Sequence, residues 1–247
     1  MIAKLTRFCC RTVVCAAIAA SFVQNGLAAE AASSLDARQR AIVAISVHTA
    51  QGDMRALERN LTAGLQAGLT VNEIKEVLVQ LYAYTGFPRS LNAINCFMRV
   101  MDAREKAGIK DPIGKEASPI PEGLDRDAYG AKVRAKLGGR TEIPPPSGYQ
   151  VFAPAIDAFL KQHLFCDIFI RDNLDAQSRE LATIGALGGM TGTQGQLVFH
   201  MNAAMNTGVS ASQMQSYIDV LKTEVGEKQA SSVGEVLEGV LQKRKAK

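Results

Sequence analysis

Aromatic residues are scarce in this sequence: its 247 residues include no tryptophan, nine phenylalanines and five tyrosines. This scarcity argues against an aromatic-rich β-sandwich, whereas the abundant Ala, Leu, Val and Met favour helices. A disordered or fibrous chain is also excluded, because 47% of the residues are apolar and 21% are charged. The composition therefore predicts an all-α protein with enough residues for one or two packed cores.

Acidic residues are absent from positions 1–29, which carry Lys4, Arg7 and Arg11 before an apolar run at 12–23. That run is shorter than the roughly 20 residues of a membrane-spanning helix, and Ala28 and Ala29 suit a signal peptidase. We therefore expect residues 1–29 to be a cleavable signal peptide, a periplasmic or secreted location, and no stable membrane span after cleavage. An uncleaved N-terminal anchor is the alternative.

Cysteine and positive charge are both scarce once this segment is set aside. The formal net charge falls from +4 to +1, and only Cys96 and Cys166 remain of the five cysteines. So small a charge does not favour binding of nucleic acid by a basic face. The two cysteines have the right compartment for a disulfide, but the sequence does not fix their separation.

The rest of the chain contains an internal repeat. Residues 35–37 and 174–176 both read Leu-Asp-Ala, and further matches follow at an offset of 140 residues. Each half also has a helix-capping pattern, from Thr70 to Glu73 and from Ser210 to Gln213. Glycines match in two pairs, Gly68 with Gly208 and Gly86 with Gly226. We interpret the halves as two similar helical modules.

The repeat and the prolines together predict the domain organisation. Six of the eight prolines lie between 108 and 150, so we expect a first module at 30–107, a connector at 108–148 and a second module at 149–247. The apolar spacing predicts four helices in each module, with a short helix in the connector and a long helix at 149–173. The module helices are expected at 36–50, 53–67, 71–85, 87–107, 175–190, 194–207, 211–225 and 227–244.

Histidine is also rare, and it is the side chain that most readily titrates near neutral pH. No two of His48, His163 and His200 have the spacing of metal ligands, so we expect no metal site. His200 lies at the border of a predicted buried face, one helix after Glu180, and the two side chains can form an acid/base couple. A semi-buried histidine with a purely structural partner is the alternative.

The repeat confines this couple to the second module, because the first has Ala41 and Asn60 at the positions of Glu180 and His200. The first module instead has a helix break at Gly86 and Pro88, beside Tyr84 and Gln80. These two side chains either line a pocket or pack a helix corner.

The segment Tyr84-Thr85-Gly86-Phe87-Pro88 and the runs before it, Leu35 to Arg38 and Ala67 to Thr70, resemble the carboxymuconolactone decarboxylase family. The second module, with Arg179-Glu180-Leu181 and the His200 helix, resembles a more divergent member. The resemblance implies an all-helical fold, a homo-oligomer, and cofactor-free decarboxylation of a small carboxylic acid or lactone. It implies His200 and Glu180 as catalytic residues, and we expect Tyr84, Gln80 and Arg179 to bind substrate.

The related alkylhydroperoxidase D-like branch implies a thiol peroxidase with a Cys-x-x-Cys pair before the family histidine. Thr193 and Gln196 stand at those positions, which excludes the dithiol mechanism in that form. Two alternatives to the decarboxylase stay open: a peroxidase acting through Cys96 or Cys166, and an exported binding or scaffold protein without catalytic activity.

Overall fold

The computed structural model describes residues 34–246, and the predicted signal peptide at 1–29 lies outside them. The all-α prediction is confirmed: the described residues form ten α-helices and one π-helix, and none of them is in a strand. The N-terminal half comprises α1 (Ala37–Gln51), α2 (Met54–Gln66) and α3 (Val71–Lys106). The chain then continues through α4 (Arg126–Leu137), α5 (Tyr149–Phe152), α6 (Pro154–Phe159) and the π-helix (Leu160–Ile168). The C-terminal half comprises α7 (Ala176–Gly189), α8 (Gln194–Asn206), α9 (Ala211–Val225) and α10 (Glu227–Lys245).

Helices α1 and α7 form the centre of the molecule and pack against each other. They approach closely because α7 carries glycines in the contact: a Cβ on Gly185 would lie 2.9 Å from the carbonyl oxygen of Val43, and one on Gly189 would lie 3.0 Å from that of Val47. The remaining helices surround this pair, with α3 contacting α7 and α9 contacting α1. One buried apolar cluster therefore contains side chains from both halves.

The two halves begin and break their helices in the same way. Thr70 before α3 and Ser210 before α9 each form a capping box with the residue three positions later. Gly86 (φ 77°, ψ 160°) and Gly226 (φ 87°, ψ 164°) have nearly the same non-helical backbone. At Gly86 this backbone kinks α3, where the sequence predicted separate helices at 71–85 and 87–107, and at Gly226 it separates α9 from α10.

The long helix predicted at 149–173 is wrong. Residues 149–168 form α5, α6 and the π-helix, because Pro154 has no N–H to donate and Ala153 before it adopts φ −136°, ψ 72°. The π-helix packs against α4, and Gly130 permits this contact, since a Cβ there would lie 1.8 Å from the carbonyl oxygen of Lys161. The predicted connector helix is thereby docked against the C-terminal half.

Candidate acid/base site

Glu180 and His200 lie together in the interior of the C-terminal half. The Asp175 side chain caps α7 by accepting a hydrogen bond from the N–H of Ser178, and this places Glu180 in the second turn, facing the core. Helix α8 presents His200, and its Nδ1 lies 2.8 Å from Oε2 of Glu180. Glu180 is fully buried and His200 is 5% exposed. The structure thus brings together the two residues predicted to be catalytic.

This contact determines the roles of the ring nitrogens. An ionised carboxylate only accepts hydrogen bonds, so Nδ1 of His200 is the protonated nitrogen in the pair. Nε2 is left to exchange a proton with another molecule. The second carboxylate oxygen of Glu180, Oε1, is buried and has no hydrogen-bond partner within residues 34–246.

Tyr84 of α3 completes the surroundings of the histidine. Its ring meets the His200 ring edge-on at 5.5 Å between centroids, and Phe199 does the same at 5.1 Å. The Tyr84 hydroxyl is buried and, among residues 34–246, has no hydrogen-bond partner. The hydroxyl of Thr183 lies near it, accepting from Gln80 and donating to the Arg179 carbonyl. Burial raises the pKa of Tyr84, and the negative charge of Glu180 raises it further. Its hydroxyl therefore stays protonated and can donate a hydrogen bond.

Gln80 and Arg179, predicted to bind substrate, lie in a buried ionic cluster together with Glu76. Arg179 donates from Nη1 to Oε1 of Gln80 at 2.9 Å and from Nη2 to Oε1 of Glu76 at 2.8 Å. The amide nitrogen of Gln80 donates to the carbonyl of Arg179 and to Thr183. Both polar atoms of the Gln80 side chain thus bind other groups inside the protein. In the described part of the chain, Nε of Arg179 has no hydrogen-bond partner.

The sequence analysis missed Glu76. Its carboxylate accepts from Arg179 and, at 2.9 Å, from Nε of Arg171. The spacing contained a signal, because Glu76, Gln80 and Tyr84 are four residues apart and therefore share one face of α3. This polar face lies against α7, so it crosslinks the two halves and positions Tyr84 beside His200.

A second histidine–carboxylate couple, also missed, joins α1 to α9. Nε2 of His48 lies 2.7 Å from Oε2 of Glu224, and the amide of Asn60 donates to the same oxygen at 3.3 Å. The hydrogen bond from His48 lowers the pKa of Glu224. At the offset of 140 residues used to compare the halves, Tyr84 corresponds to Glu224 and Asn60 corresponds to His200. The contact of Asn60 with Glu224 therefore corresponds to that of His200 with Tyr84, whereas the two histidine–carboxylate couples join different pairs of helices.

The environment of the two cysteines does not favour thiolate chemistry. Cys96 and Cys166 are both free and buried, and burial raises the pKa of each thiol. His163, three residues before Cys166, has its Nδ1 3.0 Å from Asp167. Thr193 donates its hydroxyl to the carbonyl of Leu187.

Within residues 34–246, no group of three or more His, Cys, Asp or Glu side chains is placed to hold a metal ion. Over the same residues, no helix has the length and apolarity needed to cross a membrane.

A small apolar cluster lies against the two rings that flank His200. It includes Leu137 of α4 and, from the π-helix, Leu164 and Phe165. Tyr84 and Phe199, the two rings that flank His200, both pack against it. Helix α4 and the π-helix thus form a cover over the couple.

Comparison with known proteins agrees with the resemblance seen in the sequence. Residues 16–97 match the model of the carboxymuconolactone decarboxylase family. An uncharacterized protein of Methanocaldococcus jannaschii is 29% identical over 66 residues, which are 27% of this chain and 62% of that protein. The chain thus matches less than two thirds of this relative's length. The matched family segment includes Tyr84, whereas Glu180 and His200 lie beyond it.

Proposed function

We propose that this protein, whose residues 16–97 match the model of the carboxymuconolactone decarboxylase family, catalyses cofactor-free acid/base chemistry on a small carboxylic acid or lactone. His200 is the group that exchanges a proton with the substrate, and Glu180 orients the imidazole ring and stabilises its protonated form. The observation that carries the proposal is the buried contact of 2.8 Å between Nδ1 of His200 and Oε2 of Glu180. A carboxylate on one ring nitrogen fixes the tautomer and stabilises the imidazolium, as acid/base catalysis requires.

Two unsatisfied polar atoms beside the couple support this proposal. The Tyr84 hydroxyl and Oε1 of Glu180 are buried without partners. A buried polar group without a hydrogen bond costs about 1–3 kcal/mol, and such a cost is typical of functional sites. A substrate oxygen placed between the Tyr84 hydroxyl and Nε2 of His200 would accept a hydrogen bond from the hydroxyl and lie beside the proton donor.

The decarboxylation proposed here balances without an added reagent. The bond between the substrate carbon and its carboxylate breaks, carbon dioxide leaves, and the electron pair moves into a conjugated carbonyl as an enolate. Imidazolium His200 then delivers the proton from Nε2 to the carbon and regains one from water. The Tyr84 hydroxyl donates a hydrogen bond to the enolate oxygen while the charge exists.

Access to the couple requires its cover to move. The His200 side chain is 7% exposed. We propose that α4 and the π-helix separate from Phe199 and Tyr84 to admit the substrate and then exclude water. A π-helix at this place supports the idea, since π-helical turns occur frequently at functional sites.

The experiment compares two matched histidine variants on a panel of small lactones and carboxylic acids, with carbon dioxide release and loss of the acid as readouts. We expect His200→Gln to lower kcat about 10²- to 10⁴-fold, with an unchanged circular dichroism spectrum. His48→Gln changes the other histidine–glutamate couple and should keep turnover. Equal activity of His200→Gln and the unaltered protein would contradict the proposal.

An exported binding protein is the second candidate, and the burial of His200 is the observation that favours it. This candidate predicts saturable binding of a compound from the same panel without turnover. Turnover of any compound that depends on His200 decides against it.

We propose further that the C-terminal half is a divergent copy of the N-terminal half, which the matching caps and glycine breaks support. We also propose export after removal of residues 1–29. N-terminal sequencing of the protein from a periplasmic fraction tests export, and a mature protein that retains Met1 would exclude cleavage.

Self-association is proposed as well. Large apolar side chains are exposed on two surfaces, with Phe87, Leu91 and Met98 on α3 and Phe152 (92% exposed) and Phe159 on α5 and α6. Sedimentation velocity of the unaltered protein and of Phe152→Ser tests it, and a monomer at all concentrations would exclude it.

A further inference from the structure

A cavity of about 570 Å³ lies where α4, the end of the π-helix, the start of α7 and the end of α8 meet. Cavities that bind small molecules typically measure about 300–1,000 Å³. The cavity does not contact His200 or Glu180, although it lies on the same helices, α7 and α8. It is therefore a place distinct from the acid/base couple.

The cavity has an apolar wall that it shares with the cover of the couple. Val133 and Leu137 of α4 and Phe169 form this wall. Leu137 and Phe169 also belong to the apolar cluster against which Tyr84 and Phe199 pack. Cζ of the Arg179 guanidinium lies over the Phe169 ring, 5.9 Å from the ring centroid. A flat apolar body placed in the cavity would contact this wall.

The cavity is lined by one cation that has no ion-pair partner. Lys136 lines it, and no carboxylate lies within ion-pair distance of this side chain among residues 34–246. Asp175, the only lining acid in that range, accepts the N–H of Ser178 at the start of α7, so this carboxylate is engaged in capping the helix. Asn206 accepts from Arg244 at 3.0 Å, which brings a second cation close behind the lining.

We propose that this cavity binds a small organic anion, with the apolar body against Val133, Leu137 and Phe169 and the carboxylate against Lys136. This assignment goes beyond the proposed function and does not depend on it, because the cavity does not contact His200 or Glu180. The connector helix then has a role in recognition, because the cation and two of the three residues of the apolar wall belong to α4.

The test uses three probes of similar shape and different charge: benzoate, benzamide and benzylamine. Binding to the full-length His200→Gln protein is measured by calorimetry at low ionic strength, so turnover does not affect the result. We expect saturable binding of benzoate at one site, and about five- to tenfold weaker binding of benzamide. Added salt should weaken the binding of benzoate but not that of benzamide.

Matched variants locate the site. Lys136→Gln should weaken benzoate binding about five- to tenfold, whereas Lys132→Gln, exposed one turn earlier on α4 and outside the cavity, should leave it unchanged. Ala176→Phe, at an exposed lining position, fills the cavity and should abolish binding while the helical spectrum persists.

Three results would overturn the assignment: tighter binding of benzylamine than of benzoate, equal effects of the two lysine variants, or no saturable binding of any probe. None of these results bears on the proposed function, which is judged by the turnover of His200→Gln against His48→Gln.

Discussion

His48 of α1 and Glu224 of α9 bind each other across the two halves of the molecule, with 2.7 Å between Nε2 and Oε2. Tyr84 stands at the position related to Glu224, and its ring contacts His200 of α8. Glu224 likewise accepts a hydrogen bond from Asn60 of α2. The two histidine–carboxylate couples themselves join different helices, α1 to α9 and α7 to α8. Glu224 is 22% exposed in its side chain, whereas Glu180 is fully buried. We infer that the His48 couple holds the halves together, and its contribution is measurable as a function of pH.

Glu224→Gln should lower the free energy of unfolding by about 1 kcal/mol at pH 7. The hydrogen bond from His48 lowers the pKa of Glu224 in the folded state. A lowered carboxyl pKa stabilises the fold above the unfolded value, about 4.3, and this contribution disappears as the pH falls through the folded pKa. Urea unfolding at pH 7, 5 and 3.5 should therefore show a difference between the two proteins that shrinks below about pH 4.5. Glu235→Gln, at an exposed position, is the control, and an equal effect of both variants would refute the inference.

Glu76→Ala should be far more destabilising than a surface glutamate substitution. It leaves the Arg179 guanidinium, 1% exposed, without its carboxylate. Removal of one partner of a buried ion pair typically costs about 3–5 kcal/mol. Glu227→Ala provides the comparison, because Glu227 is 72% exposed and its contact with Lys222 is 3.4 Å long, so we expect about 1 kcal/mol or less. Chemical denaturation of both variants measures the difference, and similar midpoints would show that the buried ion pair makes no net contribution to stability.

The ends of the helices were predictable from the sequence because their signals are local. Asp36, Thr70 and Ser210 each cap a helix through residues three positions away, so a short window contains the information. The approach of His200 to Glu180 was also within reach, since one tight turn joins their helices. The catalytic role of the couple stays a prediction.

The contacts between the halves were not predictable in the same way. Glu76 meets Arg179 across 103 positions of sequence, and His48 meets Glu224 across 176. Nothing in the spacing of either residue specifies its partner, because the arrangement depends on how α3 and α9 cross the central helices. The π-helix was missed for a different reason: residues 149–173 have a helical apolar pattern, and that pattern does not report which carbonyl each N–H will bind.

Gly226→Ala should destabilise the protein by about 1–3 kcal/mol, since φ 87° and ψ 164° form a conformation that is nearly exclusive to glycine. The cost arises in the backbone alone, because a Cβ at this position meets no atom within 4 Å. Gly234→Ala, in the middle of α10 and equally open, should instead stabilise by about 0.5–1 kcal/mol. Thermal and urea unfolding report both changes, and a shift of the same sign for the two variants would contradict this account of the helix break.

Tyr84→Phe should lower turnover without weakening the fold. Among residues 34–246, the buried Tyr84 hydroxyl has no hydrogen-bond partner. The substitution removes this unsatisfied polar group, so the free energy of unfolding should stay the same as in the unaltered protein or rise by about 1 kcal/mol. Turnover should fall about tenfold or more, because the hydroxyl is proposed to donate to the developing enolate. Tyr217→Phe is the matched control: the Tyr217 hydroxyl donates to the carbonyl of Ile184 at 2.7 Å, so its loss should cost about 1 kcal/mol and leave kcat unchanged. If Tyr84→Phe instead destabilises the protein as much as Tyr217→Phe does and retains full activity, the hydroxyl is a structural group and has no part in the reaction.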